Sequence, residues 1–124
     1  MARTKKSKTA KKSDRILKFQ GKQTTFDIFG SKWKLIVCDA ITEEDRKDEY
    51  FDYGITDGEN RVIGVAVKNK KGNDLPSNEI EISILHELIH SILRTGQYIN
   101  TNNDEPMVEF LARSLYSLIK QGII

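Results

Sequence analysis

Residues 77–96 read SNEIEISILHELIHSILRTG. Wound at ~3.6 residues per turn, Ile80, Ile82, Ile84, Leu85, Leu88, Ile89, Ile92 and Leu93 cover most of a helix circumference and leave a narrow polar sector of Ser83, Glu87, Ser91 and Arg94. The pattern predicts a helix that is largely buried. Ser77 fits an N-cap, Glu79 and Glu81 place negative charge in the first turn, and Gly96 fits the stop after Arg94.

Beyond that helix, a polar loop from Gln97 to Asp104 leads to a second helical pattern from about Glu105 to Lys120. Its Val108, Leu111, Leu115, Leu118 and Ile119 recur at steps of three and four. Before the helix the period changes to two. Residues 26–40 read as a hairpin about a Gly30-Ser31 turn, with Trp33, Leu35 and Val37 alternating with Lys34, Ile36 and Cys38. A second hairpin pairs Tyr50–Thr56 with Arg61–Lys68 across the Asp57-Gly58 turn signal, and the charged stretch 42–49 between the hairpins is a loop or short exposed helix. Strands first and helices afterwards predict an α+β domain, with the helices packed on one face of a small antiparallel sheet.

Length and charge bound the rest. A chain of 124 residues accommodates one ordinary domain. Residues 1–22 hold nine of the twenty basic residues against the single acid Asp14, so this segment carries +8 and the remainder −6. Through Ser13 there is no Ile, Leu, Val or aromatic to offset the entropy of ordering the backbone, which predicts a disordered basic arm over 1–15 and a single domain over 16–124. The arm has the composition for weak, nonspecific contact with nucleic acid, but lacks the aromatics and the basic folded surface of a dedicated binder. The lone Cys38 cannot form an intrachain disulfide and is simplest as a small core residue. No apolar run approaches a membrane span or a secretory core segment, so the expectation is a soluble, cytoplasmic protein with no membrane partner.

The chemistry is concentrated in His86-Glu87-Leu88-Ile89-His90, which contains the only two histidines of the chain. At i and i+4 of a helix both imidazoles share a face and can converge on one ion, while Glu87, ~100° round the helix, can reach a water bound to that ion. This is the HExxH pattern, in which zinc activates water and the glutamate takes its proton. One Zn2+ per chain is the expected cofactor, and a third protein ligand is required. With no further His and no usable Cys cluster it should be a carboxylate, with Glu105 and Glu109 the candidates.

With Glu105-Pro106-Met107-Val108-Glu109 following it, the motif resembles the gluzincin side of the zincin metallopeptidases. Within that group the chain is most similar to small phage and mobile-element proteins related to the ImmA/IrrE-type metallopeptidases. The similarity runs over about residues 33–120, through Tyr53-Gly54-Ile55-Thr56-Asp57, Leu85-His86-Glu87-Leu88-Ile89-His90 and Leu111-Ala112-Arg113-Ser114-Leu115-Tyr116. It implies a minimal zincin-like fold in which His86, His90 and Glu105 hold the metal, Glu87 is the general base and Glu109 supports a histidine. It also implies a protein or peptide substrate, a regulator of a mobile element among the possibilities, and the cytoplasm of a bacterial host. By the same resemblance the strand Arg61–Lys68 would offer its edge to an extended substrate, with Gly64 marking a bulge or close approach or simply a tolerated strand glycine. Arg94, Tyr98 and Tyr116 are candidates for stabilising an oxyanion.

Two functions fit this reading. One is a zinc metallopeptidase that hydrolyses a peptide bond. The other is a non-catalytic zinc-containing binding protein that holds a protein or nucleic-acid partner through the arm or the sheet edge. An acid directly after His86 has no purpose in a purely structural site, which favours the first.

Overall fold

The computed structural model describes residues 21–39, 53–69 and 71–124. The expected arm over 1–15, the start of the domain at 16 and the charged stretch 42–49 lie outside the described residues.

The first hairpin joins β1 (Gly21–Ile28) to β2 (Ser31–Cys38), with Ile28 paired to Ser31. The two-residue loop is therefore Phe29-Gly30, one position earlier than expected. Both residues have positive φ, 47° and 87°, as a loop that follows the right-handed twist of its strands requires. The second hairpin joins β3 (Gly54–Asp57) to β4 (Val62–Ala66). Asp57 fastens its turn by accepting through Oδ1 from the backbone N–H groups of Glu59 and Asn60, at 3.1 and 3.2 Å.

Within the α+β architecture, the sheet departs from the expected all-antiparallel pairing. Its order is β1-β2-β4-β3, and β2 runs parallel to β4. Each hairpin is antiparallel inside itself, and because the chain passes through β3 before it returns as β4, β4 runs parallel to β2. In the sheet β4 lies between β2 and β3. All five β4 residues are buried, as their unbroken apolar run Val62-Ile63-Gly64-Val65-Ala66 requires of a strand covered on both faces. Gly64 pairs in register with Ile36 and Ile55 and forms no bulge.

The helices α1 (Ser77–Thr95), α2 (Ile99–Asn102) and α3 (Glu105–Lys120) follow. Ser77 is not the N-cap of α1: Pro76 occupies that position in extended conformation, and Ser77 begins the helix. At the other end Gly96 is the C-cap. The left-handed residue is Gln97, at φ 65°, and the Tyr98 N–H reaches back to the Leu93 carbonyl at 2.9 Å. Gly96 is needed for space instead, since a Cβ there would lie 2.9 Å from the Tyr98 ring.

One side of α1 packs Ile80, Ile84 and Leu88 against Trp33, Ile63 and Val65 of the sheet. Another packs Ile82 and Ile89 against Val108 and Ala112 of α3. The opposite face of the sheet carries a separate buried cluster of Ile36, Cys38, Val62 and Ala66. Of the polar sector of α1 only Arg94 is exposed. Glu87 and Ser91 are buried, whereas Ile92 is about half exposed, at 52%. Among the described residues no helix is long and apolar enough to cross a membrane.

Candidate metal centre

Three segments meet over the buried polar sector of α1. The helix supplies His86, Glu87 and His90. The stretch expected to be a polar loop forms the single turn α2, which brings up Asn102, and α3 begins directly afterwards. Asp104 caps α3 by accepting from the Met107 N–H at 3.2 Å, and Pro106 suits the first turn because a missing N–H costs nothing there. The ion pair of Arg113 with Glu79 and the contacts of Glu105 and Glu109 with the histidines show that α3 runs antiparallel to α1. Its first turn thus lies beside His86 and His90.

The two imidazoles are used in the same way. His86 Nδ1 lies 2.7 Å from Glu109 Oε1, and His90 Nδ1 lies 2.7 Å from Asn102 Oδ1. Both partners are acceptors, so both Nδ1 atoms donate, and in the neutral rings both Nε2 atoms present lone pairs. Those lone pairs meet the carboxylate of Glu105. His86 Nε2 is 3.0 Å from Oε1, and His90 Nε2 is 3.3 Å from Oε1 and 3.2 Å from Oε2. Lone pairs facing carboxylate oxygens repel unless a cation lies between them, either a proton on the ring or a metal ion.

The spacing fits a metal. Ligands bound tetrahedrally to zinc at ~2.0–2.1 Å are about 3.3–3.4 Å apart, close to the Nε2–carboxylate separations here. One atom from each of His86, His90 and Glu105 falls within 4.8 Å of the others, which makes this trio able to hold a metal ion. Glu109 faces the outer nitrogen of His86 and is itself fixed by Arg113, whose Nε donates to its Oε2 at 2.6 Å.

The charges respond accordingly. Burial alone would push the His86 pKa down, but the Glu87 charge and the hydrogen bonds with Glu109 and Glu105 outweigh it and raise the pKa above its usual value. Burial alone would raise the Glu109 pKa, yet the His86 and Arg113 hydrogen bonds lower it. The carboxylates around His86 thus favour its charged form more than burial disfavours it.

Glu87 lies on the sheet side of the same cleft. Thr56 Oγ1 donates to Glu87 Oε1 at 2.6 Å, and the carboxylate crosses so close to Gly54 that a Cβ there would be 2.7 Å from Glu87 Oε2. Gly54 is thus a glycine because Glu87 occupies the space of its side chain. The cleft has a volume of about 840 Å³, with β3 on one wall and α2 and the start of α3 on the other.

Several sequence-derived roles are displaced by this geometry. The edge strand beside the cleft is β3. The expected edge Arg61–Lys68 contains β4, which is hydrogen-bonded on both sides and has no free edge. Of the three oxyanion candidates only Arg94 lines the cleft. Tyr98 is exposed over Gly96, and Tyr116 packs in the α1–α3 interface. Sequence reasoning missed Asn102 and Thr56. The run Asn102-Asn103-Asp104 reads only as a polar loop before a helix, and a threonine in a strand carries no signal of its own.

No family model matches the chain, and no curated protein or solved structure is significantly similar to it.

Proposed function

We propose that the protein is a zinc-dependent metallopeptidase, with His86, His90 and Glu105 as ligands and Glu87 as general base. The observation that carries this reading is the division of labour at the imidazoles. Both Nδ1 atoms are engaged by Glu109 and Asn102, and both Nε2 atoms turn to one carboxylate, with Glu87 in the same cleft. Outer-nitrogen partners of this kind orient a metal-binding ring and raise its basicity. Zinc held there would supply a Lewis acid and a water of lowered pKa.

The residues of the chain do the rest. Glu87 takes a proton from the attacking water as oxygen bonds to the peptide carbon, then returns a proton to the amine as the C–N bond breaks. Thr56 holds that carboxylate in place. The outer edge of β3 can align an extended peptide by strand addition, with Gly54 and Ile55 on the cleft wall. Resemblance to the phage and mobile-element group supports a protein substrate and the cytoplasm as the place of action.

Glu87→Gln tests the reading. The amide keeps the size of the side chain and can still accept from Thr56, but it cannot serve as a base. Zinc should be retained while cleavage of a fluorogenic peptide mixture falls by ~10² or more. Cleavage as fast as wild type would remove Glu87 from the reaction, and a zinc-loaded wild type that cuts nothing would favour the non-catalytic binding protein.

A further inference from the structure

The helix α3 has three faces. Wound at ~3.6 residues per turn, its charged residues Glu105, Glu109, Arg113 and Lys120 fall within about 80° of one another, on the side that meets the histidines. Val108 and Ala112 form the next stripe and are buried against Ile82 and Ile89 of α1. The third face is a band of Met107, Phe110, Ser114, Ser117 and Leu118, about 100° wide, that carries no charge along its length.

That band is open to solvent and yet apolar. Phe110 is 67% exposed, Met107 44% and Leu118 38%. The end of the helix extends it. Gly122 is left-handed, its N–H reaches the Ile119 carbonyl, and the Ile123 N–H reaches the Leu118 carbonyl, both at 3.0 Å. A helix that stops in this way sets the side chain after the glycine beside the one five residues before it, which brings the exposed Ile123 to Leu118. The solvent face of a surface helix is normally charged, and charged residues make up 31% of this chain. A contiguous apolar band without charge has the composition of an interface core instead, where Met and aromatic residues are enriched and Lys, Glu and Asp depleted.

We propose that this face of α3 is a dimer interface, and that its occupant is the same face of a second copy of the chain. Charge selects that partner. The basic segment 1–22, with its +8, would find no carboxylate on the band, and an acidic segment would find no base. A band without charge meets itself across a two-fold axis with nothing to repel. The axis falls at Ser114, midway between Phe110 and Leu118. Its small side chain lets two antiparallel helices approach, and Phe110 of each copy then packs on Leu118 of the other. With Leu111 and Gln121 at its margins the band exposes roughly 600 Å² per copy, so a dimer would bury about 1,200 Å², the lower end of specific interfaces. An area of that size fits a dimer that dissociates in the micromolar range. Glu105 and Glu109 lie roughly 130° round the helix from the middle of the band, so the second copy leaves them uncovered. The interface neither needs nor alters the peptidase reading.

Sedimentation velocity of the full chain, with and without added zinc, tests the proposal. The wild type should sediment as a dimer of the 14.2 kDa chain at ~100 µM and dissociate on dilution. Phe110→Glu and Leu118→Lys should each be monomeric at that concentration, because each places an unpaired charge in the interface twice over, once from each copy. Mixed in equal amounts, the two variants should form a dimer again. One end of the antiparallel pair then joins the introduced acid to the introduced base, and the other keeps Phe110 against Leu118. Both positions are exposed, so the monomers should keep the far-UV circular dichroism of the wild type; Ser114→Arg, on the axis, replaces either variant that fails to fold. A wild type that is monomeric at that concentration would overturn the proposal, and if Phe110→Glu then lowers its thermal midpoint, another segment of the same chain covers the band. Variants that dimerise like the wild type, or a mixture that stays monomeric, would overturn it as well. Zinc content and cleavage play no part in these outcomes, so the peptidase and the dimer can fail separately.

Discussion

Two histidines four residues apart can be read from the sequence, but the partner of each nitrogen cannot. The helix places both rings on one face; the roles of their nitrogens are then set by Asn102 on α2 and by Glu105 and Glu109 on α3. Sequence spacing left Glu105 and Glu109 as alternatives for the third ligand. In the structure Glu105 meets both Nε2 atoms, whereas Glu109 meets only the Nδ1 of His86. The three carboxamide and carboxylate partners should therefore differ in what their loss costs. Glu105→Ala removes a group at the metal position and should lose zinc outright at neutral pH. Glu109→Ala and Asn102→Ala remove orienting partners and should weaken zinc by about 10–100-fold each. Competition titrations against a zinc chelator measure all three. An order in which Glu109→Ala is the weakest binder would exchange the roles of the two glutamates.

Elements were legible where periodicity is dense, and less so where a single position decides. The limits of α3 agree with the expected Glu105–Lys120, because Asp104-Glu105-Pro106 marks its start and the apolar steps run to Ile119. The start of α1 was misplaced by one residue, since Pro76 adopts the extended cap conformation that the sequence suggested for Ser77. The β1–β2 turn shifted likewise, and it contains the least suited side chain of the described loops. Phe29 has a left-handed backbone and a relative exposure of 102%, so it bears the conformational cost with no compensating burial. Phe29→Asn would create the Asn-Gly pair favoured in such turns and should stabilise the protein by about 1 kcal/mol without changing zinc content. Thermal denaturation of the two zinc-loaded forms decides it; a lower midpoint for the variant would mean that Phe29 makes a contact outside the described residues.

For the molecule as a whole, the class was readable and the sheet direction was not. Each hairpin announces itself through its turn residues, but the relative direction of the two depends on the connection between Cys38 and Gly54, whose sequence carries no directional signal. The parallel pairing of β2 with β4 has a consequence for the site. It moves β3 to the edge, where Thr56 and Gly54 reach Glu87, and it buries β4, which the sequence suggested as the open edge. The polar sector of α1 was legible as narrow, but the burial of Glu87 and Ser91 within it was not, because periodicity separates polar from apolar residues and does not tell water from a cleft.

The central proposal is a cation held between the two histidines and Glu105, which lie close enough together to share one. The decisive measurement is metal analysis of protein purified without added zinc, set beside His86→Ala and His90→Ala prepared in parallel. The arrangement of the Nε2 atoms predicts about one zinc per chain in the wild type, none in either variant, and a lower thermal midpoint once the metal is removed. A wild-type chain that takes up no zinc even when it is supplied, or variants whose zinc content equals that of the wild type, would contradict it.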